Sequence, residues 1–92
     1  MIPVNTPLLN GNEKKYLMEC IDTGWISSEG PFIKRFEEEM SAYVNRQHGI
    51  AVANGSAALD IAVRAIGIKT GDEVIMPSFT IICTAQSVVY AG

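Results

Sequence analysis

Histidine is almost missing from this chain. His48 is the single one, with no second metal-ligand residue at useful spacing, so it is read as structural. Cysteine is nearly as scarce. Cys20 and Cys83 lie far apart with no CxxC spacing, which excludes a disulfide framework and a thiolate metal site. Both fall among apolar residues, where a free cysteine behaves as a small hydrophobe. Basic charge is short as well: seven Lys and Arg against ten Asp and Glu give a net charge of -3 and no electrostatic footprint for nucleic acid. The pairs Lys14-Lys15 and Lys34-Arg35 read as solvated helix faces. No apolar run reaches the roughly 18 residues of a membrane span. The start, Met1-Ile2-Pro3-Val4-Asn5, lacks the basic and apolar regions of a signal peptide. The expected location is the cytoplasm, with no nucleic-acid and no membrane partner. There is neither a GxGxxG nor a Walker A pattern, and no paired-carboxylate signature, since Glu37-Glu38-Glu39 reads as a helix surface.

What is present is an ordinary globular balance. Hydrophobic residues at 48% and charged residues at 18% place the chain far from disorder. Its length of 92 residues suits one domain or part of one. Residues 1–9 are expected to be extended, held by Pro3 and Pro7. A helix is predicted from about Asn10 to Thr23, with Asn10 and Glu13 at capping-box spacing and Gly24 as its stop. A loop carrying Trp25 follows. Pro31 opens a second helix, whose apolar positions Phe32, Ile33, Phe36, Met40 and Tyr43 recur at spacings of three and four until about Asn45.

The second half has a different rhythm. Gly49 to Ala53 and Glu73 to Met76 read as two short buried strands. Between them a helix from Ser56 to Ile66 is apolar nearly all round, interrupted by Asp60 and Arg64, so it is expected to be covered on most sides. A last helix is predicted over about Thr80 to Ala91. Residues 1–47 thus hold an extended start and two helices, and residues 48–92 a strand–helix–strand–helix run. That order predicts an α/β fold with a parallel-rich sheet flanked by helices. Two parallel strands do not form a stable sheet alone. The chain is therefore expected to be an incomplete piece of a larger α/β domain, poorly folded in isolation.

Three segments carry candidate chemistry. In Asn54-Gly55-Ser56-Ala57-Ala58-Leu59 a strand is expected to run through a glycine turn straight into a helix. A helix start offers unpaired N–H groups and a positive dipole end. Gly55 lets a ligand approach the backbone, and Ser56 adds a hydroxyl. The segment suits a phosphate, and it equally suits plain N-capping by Asn54 or Ser56. In Pro77-Ser78-Phe79-Thr80, at the carboxyl end of the second expected strand, Ser78 and Thr80 either cap the next helix or face a ligand. In Gly24-Trp25-Ile26-Ser27-Ser28-Glu29-Gly30-Pro31 an aromatic ring beside small polar residues suits a sugar or nucleotide, or a tryptophan that anchors two helices. The lysines Lys14, Lys15, Lys34 and Lys69 sit on polar faces or in a turn, without the desolvation or cationic neighbour that activates an amine. No nucleophile–base–orienter set can be assembled, so no catalytic residue is assigned.

Taken together, Gly24-Trp25-Ile26-Ser27-Ser28, Phe36-Glu37, Asn54-Gly55-Ser56-Ala57-Ala58-Leu59 and Gly71-Asp72-Glu73-Val74-Ile75-Met76-Pro77-Ser78-Phe79-Thr80 have the order and spacing of a known family. The chain resembles the DegT/DnrJ/StrS sugar aminotransferases over nearly its whole length. That resemblance implies the N-terminal part of the large domain of a fold type I enzyme that uses pyridoxal 5'-phosphate and works as a homodimer. It implies amino transfer from glutamate to a 4-keto-6-deoxy sugar nucleotide, in the supply of surface polysaccharide such as O-antigen. Gly55, Ser56 and Ala57 match the family's cofactor-phosphate turn. Trp25, Ser27 and Ser28 match a loop near the sugar nucleotide. Thr80 and the next residue match the edge of the cofactor ring, where many members stack an aromatic side chain; here that residue is Ile81, an aliphatic one.

The resemblance places the family's Schiff-base lysine, and the acid that pairs with the pyridine nitrogen, beyond residue 92. The 92-residue chain is therefore expected to be inactive by itself. Other readings keep part of this picture. A sugar dehydratase of the same fold has histidine where the transaminases have lysine. A small phosphate- or nucleotide-binding α/β module would need no pyridoxal phosphate. A truncated, non-functional product is the remaining possibility.

Overall fold

Local sequence rules place the helices in the computed structural model, which describes residues 2–92. Helix α1 spans Glu13–Thr23 and stops at Gly24, whose φ of 75° turns its N–H onto the carbonyl of Ile21. Only glycine enters that left-handed region without steric cost. The expected capping box does not form. Asn12 is the cap residue, without a side-chain hydrogen bond. The Glu13 carboxylate instead accepts the Gly11 N–H at 2.9 Å. Helix α2 spans Pro31–Tyr43 with Pro31 in its first turn. The chain then reverses at Asn45, a residue type that tolerates its φ of 52°.

Helix α3 covers Gly55–Ala65, and helix α4 covers Cys83–Tyr90. Helix α4 begins three residues later than the periodicity predicts. Residues 78–80 form a bend, so Thr80 and Ile81 lie outside the helix. Between α3 and α4, the Lys69–Asp72 turn closes on itself. Its backbone bond, Asp72 N–H to the Lys69 carbonyl, is 3.0 Å long. The Asp72 carboxylate accepts the Lys69 N–H at 2.8 Å.

The expected strands at 49–53 and 73–76 are not formed, and the described residues contain no strand. A strand exists only through ladder hydrogen bonds to a neighbouring strand, and parallel ladders need several strands covered on both faces. Hydrophobic, β-branched composition at Ile50, Val52, Val74 and Ile75 does not replace that pairing.

The chain divides into a first compact unit that ends at Gly49 and a second one, Ile50–Gly92. In the first unit, the Tyr16 and Phe32 rings join α1 to α2 at a centroid distance of 5.3 Å. The Arg35 guanidinium lies over the Tyr16 ring at 5.4 Å. Its hydrogen bond to Glu39, and then one to Tyr16, hold its pKa above the ordinary arginine range. Gly49 passes so close to α2 that an added Cβ would stand 2.6 Å from the Glu37 carbonyl oxygen. In the second unit, α3 packs on α4. An Arg64 guanidinium N–H donates to the Tyr90 carbonyl at 3.1 Å. Ser87 is only 2% exposed, and its hydroxyl donates to the Thr84 carbonyl at 3.1 Å.

No hydrophobic residue among those described is buried. The expected coverage of α3 is not met within the chain, and Ile61 remains 49% exposed. The exposed area is 8380 Å². Two separate globules of half this mass would together expose about 6,300 Å². Large apolar side chains are exposed both on the helices, as at Leu17 and Ile61, and between them, as at Ile75 and Phe79.

Candidate functional site

The turn before α3 has the geometry of an anion seat. Asn54 is extended, with φ -166° and ψ 172°, and is the N-cap of α3. Its side-chain oxygen accepts the Ala57 N–H at 2.9 Å. That contact realises the capping alternative for Asn54, and it commits the Ala57 amide. The first N–H groups of a helix have no intrahelical acceptor, so Gly55 and Ser56 supply the remaining donors of the turn. An added Cβ on Gly55 would meet nothing within 4 Å, so the space in front of this backbone is open. Gly55 and Ser56 are both exposed, and Ala57 is partly so. Open space, two amides, a hydroxyl and the positive end of a helix dipole together fit a phosphate group.

Thr80 and Ile81 belong to the same unit as this turn. The Thr80 hydroxyl is 3.4 Å from the Thr84 hydroxyl, across the start of α4. Ile81 is 74% exposed, so its side chain is not packed into a core.

Trp25, Ser27 and Ser28 lie in the first unit, in the loop that joins α1 to α2. Gly30 is buried there, and its N–H donates to the Ser27 carbonyl at 3.4 Å. A Cβ on Gly30 would touch the Trp25 Cβ at 3.4 Å, so the loop folds tightly around this glycine. Trp25 remains 48% exposed. With Leu17, Ile21, Ile26 and Ile33 it lines an open apolar cleft of about 330 Å³, and Ser27 contributes to the same wall.

Lys14 and Lys15 are on α1, Lys34 lies 3.9 Å from Glu38 on α2, and Lys69 is in its turn. Cys20 and Cys83 are free thiols. Among the described residues no group of His, Cys, Asp or Glu is placed to hold a metal ion, and no helix is long and apolar enough to cross a membrane. One feature escaped the sequence reading: the close approach of Gly49 to α2. It has no local signal, because it depends on where the chain returns.

Comparison with known proteins adds a third line. The chain is 49% identical over 92 residues to GDP-perosamine synthase of Vibrio cholerae, a match that covers 100% of this chain and 25% of the relative. It is 52% identical over 91 residues to GDP-perosamine synthase of Caulobacter vibrioides, covering 99% of this chain and 24% of that protein. It is 37% identical to the spore coat polysaccharide biosynthesis protein SpsC of Bacillus subtilis, covering 99% of this chain and 23% of that protein. The chain thus spans about a quarter of the length of these relatives. The family model described as DegT/DnrJ/EryC1/StrS aminotransferase matches residues 7–92, which takes in the Trp25 loop, the turn before α3 and the Pro77–Ile81 segment. On that match, the chain belongs to the DegT/DnrJ/EryC1/StrS aminotransferase family.

Proposed function

We propose that these 92 residues are the N-terminal, cofactor-phosphate-binding portion of a pyridoxal-phosphate-dependent nucleotide-sugar aminotransferase. The reaction is amino transfer from glutamate to a 4-keto-6-deoxy sugar nucleotide, as in GDP-perosamine formation for O-antigen and other surface polysaccharide. The observation that carries this reading is the open turn Asn54-Gly55-Ser56 at the start of α3, in a chain about half identical to two GDP-perosamine synthases.

Gly55 and Ser56 hold the cofactor phosphate through their amides and the Ser56 hydroxyl. The α3 dipole adds attraction for the dianion. Asn54 keeps the helix start rigid by occupying the Ala57 amide, so the donors are pre-oriented and Ala57 borders the seat without donating to it. When bound, pyridoxal phosphate supplies the electron sink that the transfer of an amino group requires. Thr80 and Ile81 border the ring, with an aliphatic contact at Ile81 in place of a stacked aromatic one. Trp25 offers a ring face, and Ser27 and Ser28 offer hydroxyls, to the sugar nucleotide. The polypeptide that carries these residues works as a homodimer in the cytoplasm, a reading that rests on the family resemblance. Residues 1–47 and 48–92 are read as two successive stretches of its large domain. The lysine and the acid that complete the cofactor site belong to the rest of the family's fold, and the 92-residue chain has no activity by itself.

The test is a chimera in which these 92 residues replace the matching quarter of the Vibrio cholerae GDP-perosamine synthase. The chimera is expected to bind pyridoxal phosphate, read by its absorbance, and to aminate the 4-keto sugar nucleotide with glutamate. A folded, dimeric chimera that retains no cofactor overturns the assignment of the turn. One that binds cofactor but no nucleotide sugar overturns the role of the Trp25 loop.

A further inference from the structure

We draw no further inference here: the strongest candidate, the open apolar cleft between α1 and α2 lined by Leu17, Ile21, Trp25, Ile26 and Ile33, shares its wall with the loop already assigned to the sugar nucleotide, and nothing in the structure shows what else covers it.

Discussion

Urea denaturation of the purified 92-residue chain is expected to lack a cooperative transition. The magnitude follows from area. An extended chain of 10.0 kDa exposes about 14,500 Å². The folded chain exposes 8380 Å², so folding removes about 6,100 Å² from water. Two compact globules of half the mass would remove about 8,200 Å². The denaturant slope scales with the area exposed on unfolding, so it should be about three-quarters of the compact value. The missing quarter is the costly part, because no hydrophobic side chain among the described residues is buried and burying one fully contributes roughly 1.5–3 kcal/mol. A small domain has only about 0.05–0.15 kcal/mol per residue to lose. The assay follows far-UV circular dichroism for α1–α4 and fluorescence for Trp25, the sole tryptophan. The two probes should change gradually and out of step, and Trp25 should emit as a partly solvated indole from the start. A monomer in which both probes share one sharp transition, with the slope of a compact domain of this size, would refute the reasoning.

Other expectations apply to the chimera described above. Ser56→Glu should weaken pyridoxal-phosphate binding at least about tenfold, about 1.4 kcal/mol, because the new carboxylate faces the phosphate; unchanged affinity in a cofactor titration would move the phosphate elsewhere. Asn54→Ala should cost about 1 kcal/mol through loss of the cap on the Ala57 amide, read as a lower Tm, whereas Asn54→Asp should keep the cap and lose cofactor affinity through charge repulsion. Gly49→Ala should lower stability by about 1–3 kcal/mol, because its Cβ would stand 2.6 Å from a backbone oxygen of α2; an unchanged Tm would contradict that close approach. Ile81→Tyr should tighten cofactor binding by at most about tenfold through a stacked contact of about 0.5–1.5 kcal/mol. An equal loss of Tm with and without cofactor would show that Ile81 packs in a core.

Much of the local structure was legible in the residues, because its causes are local. Pro31 opens α2, Gly24 closes α1 in the left-handed region, and the Lys69-Thr70-Gly71-Asp72 turn closes on its own carboxylate. The candidate segments were legible for the same reason: the Asn54–Ala57 spacing, the Trp25 loop and the Pro77–Ile81 stretch are short motifs, and together they carried the family. Their roles towards a ligand remained proposals.

Tertiary structure decided what depends on distant parts of the chain. Hydrophobic pattern at 49–53 and 73–76 marks segments suited to strands, but a strand needs the backbone of a neighbour, and none is formed among the described residues. Periodicity made α3 look covered; whether a face is covered depends on what packs against it, and here α4 covers only part. The start of α4 moved because the bend at residues 78–80 outweighed the helical spacing of Ile81 and Ile82. The approach of Gly49 to the Glu37 carbonyl follows from the path of the returning chain, which no local pattern encodes. Sequence by itself determined that Pro31 opens α2, that Gly24 stops α1 and which family the motifs spell, since these rest on contacts within a few residues. Which apolar faces are covered and which extended segments pair was left to tertiary structure, because burial and ladder hydrogen bonds belong to two partners at once.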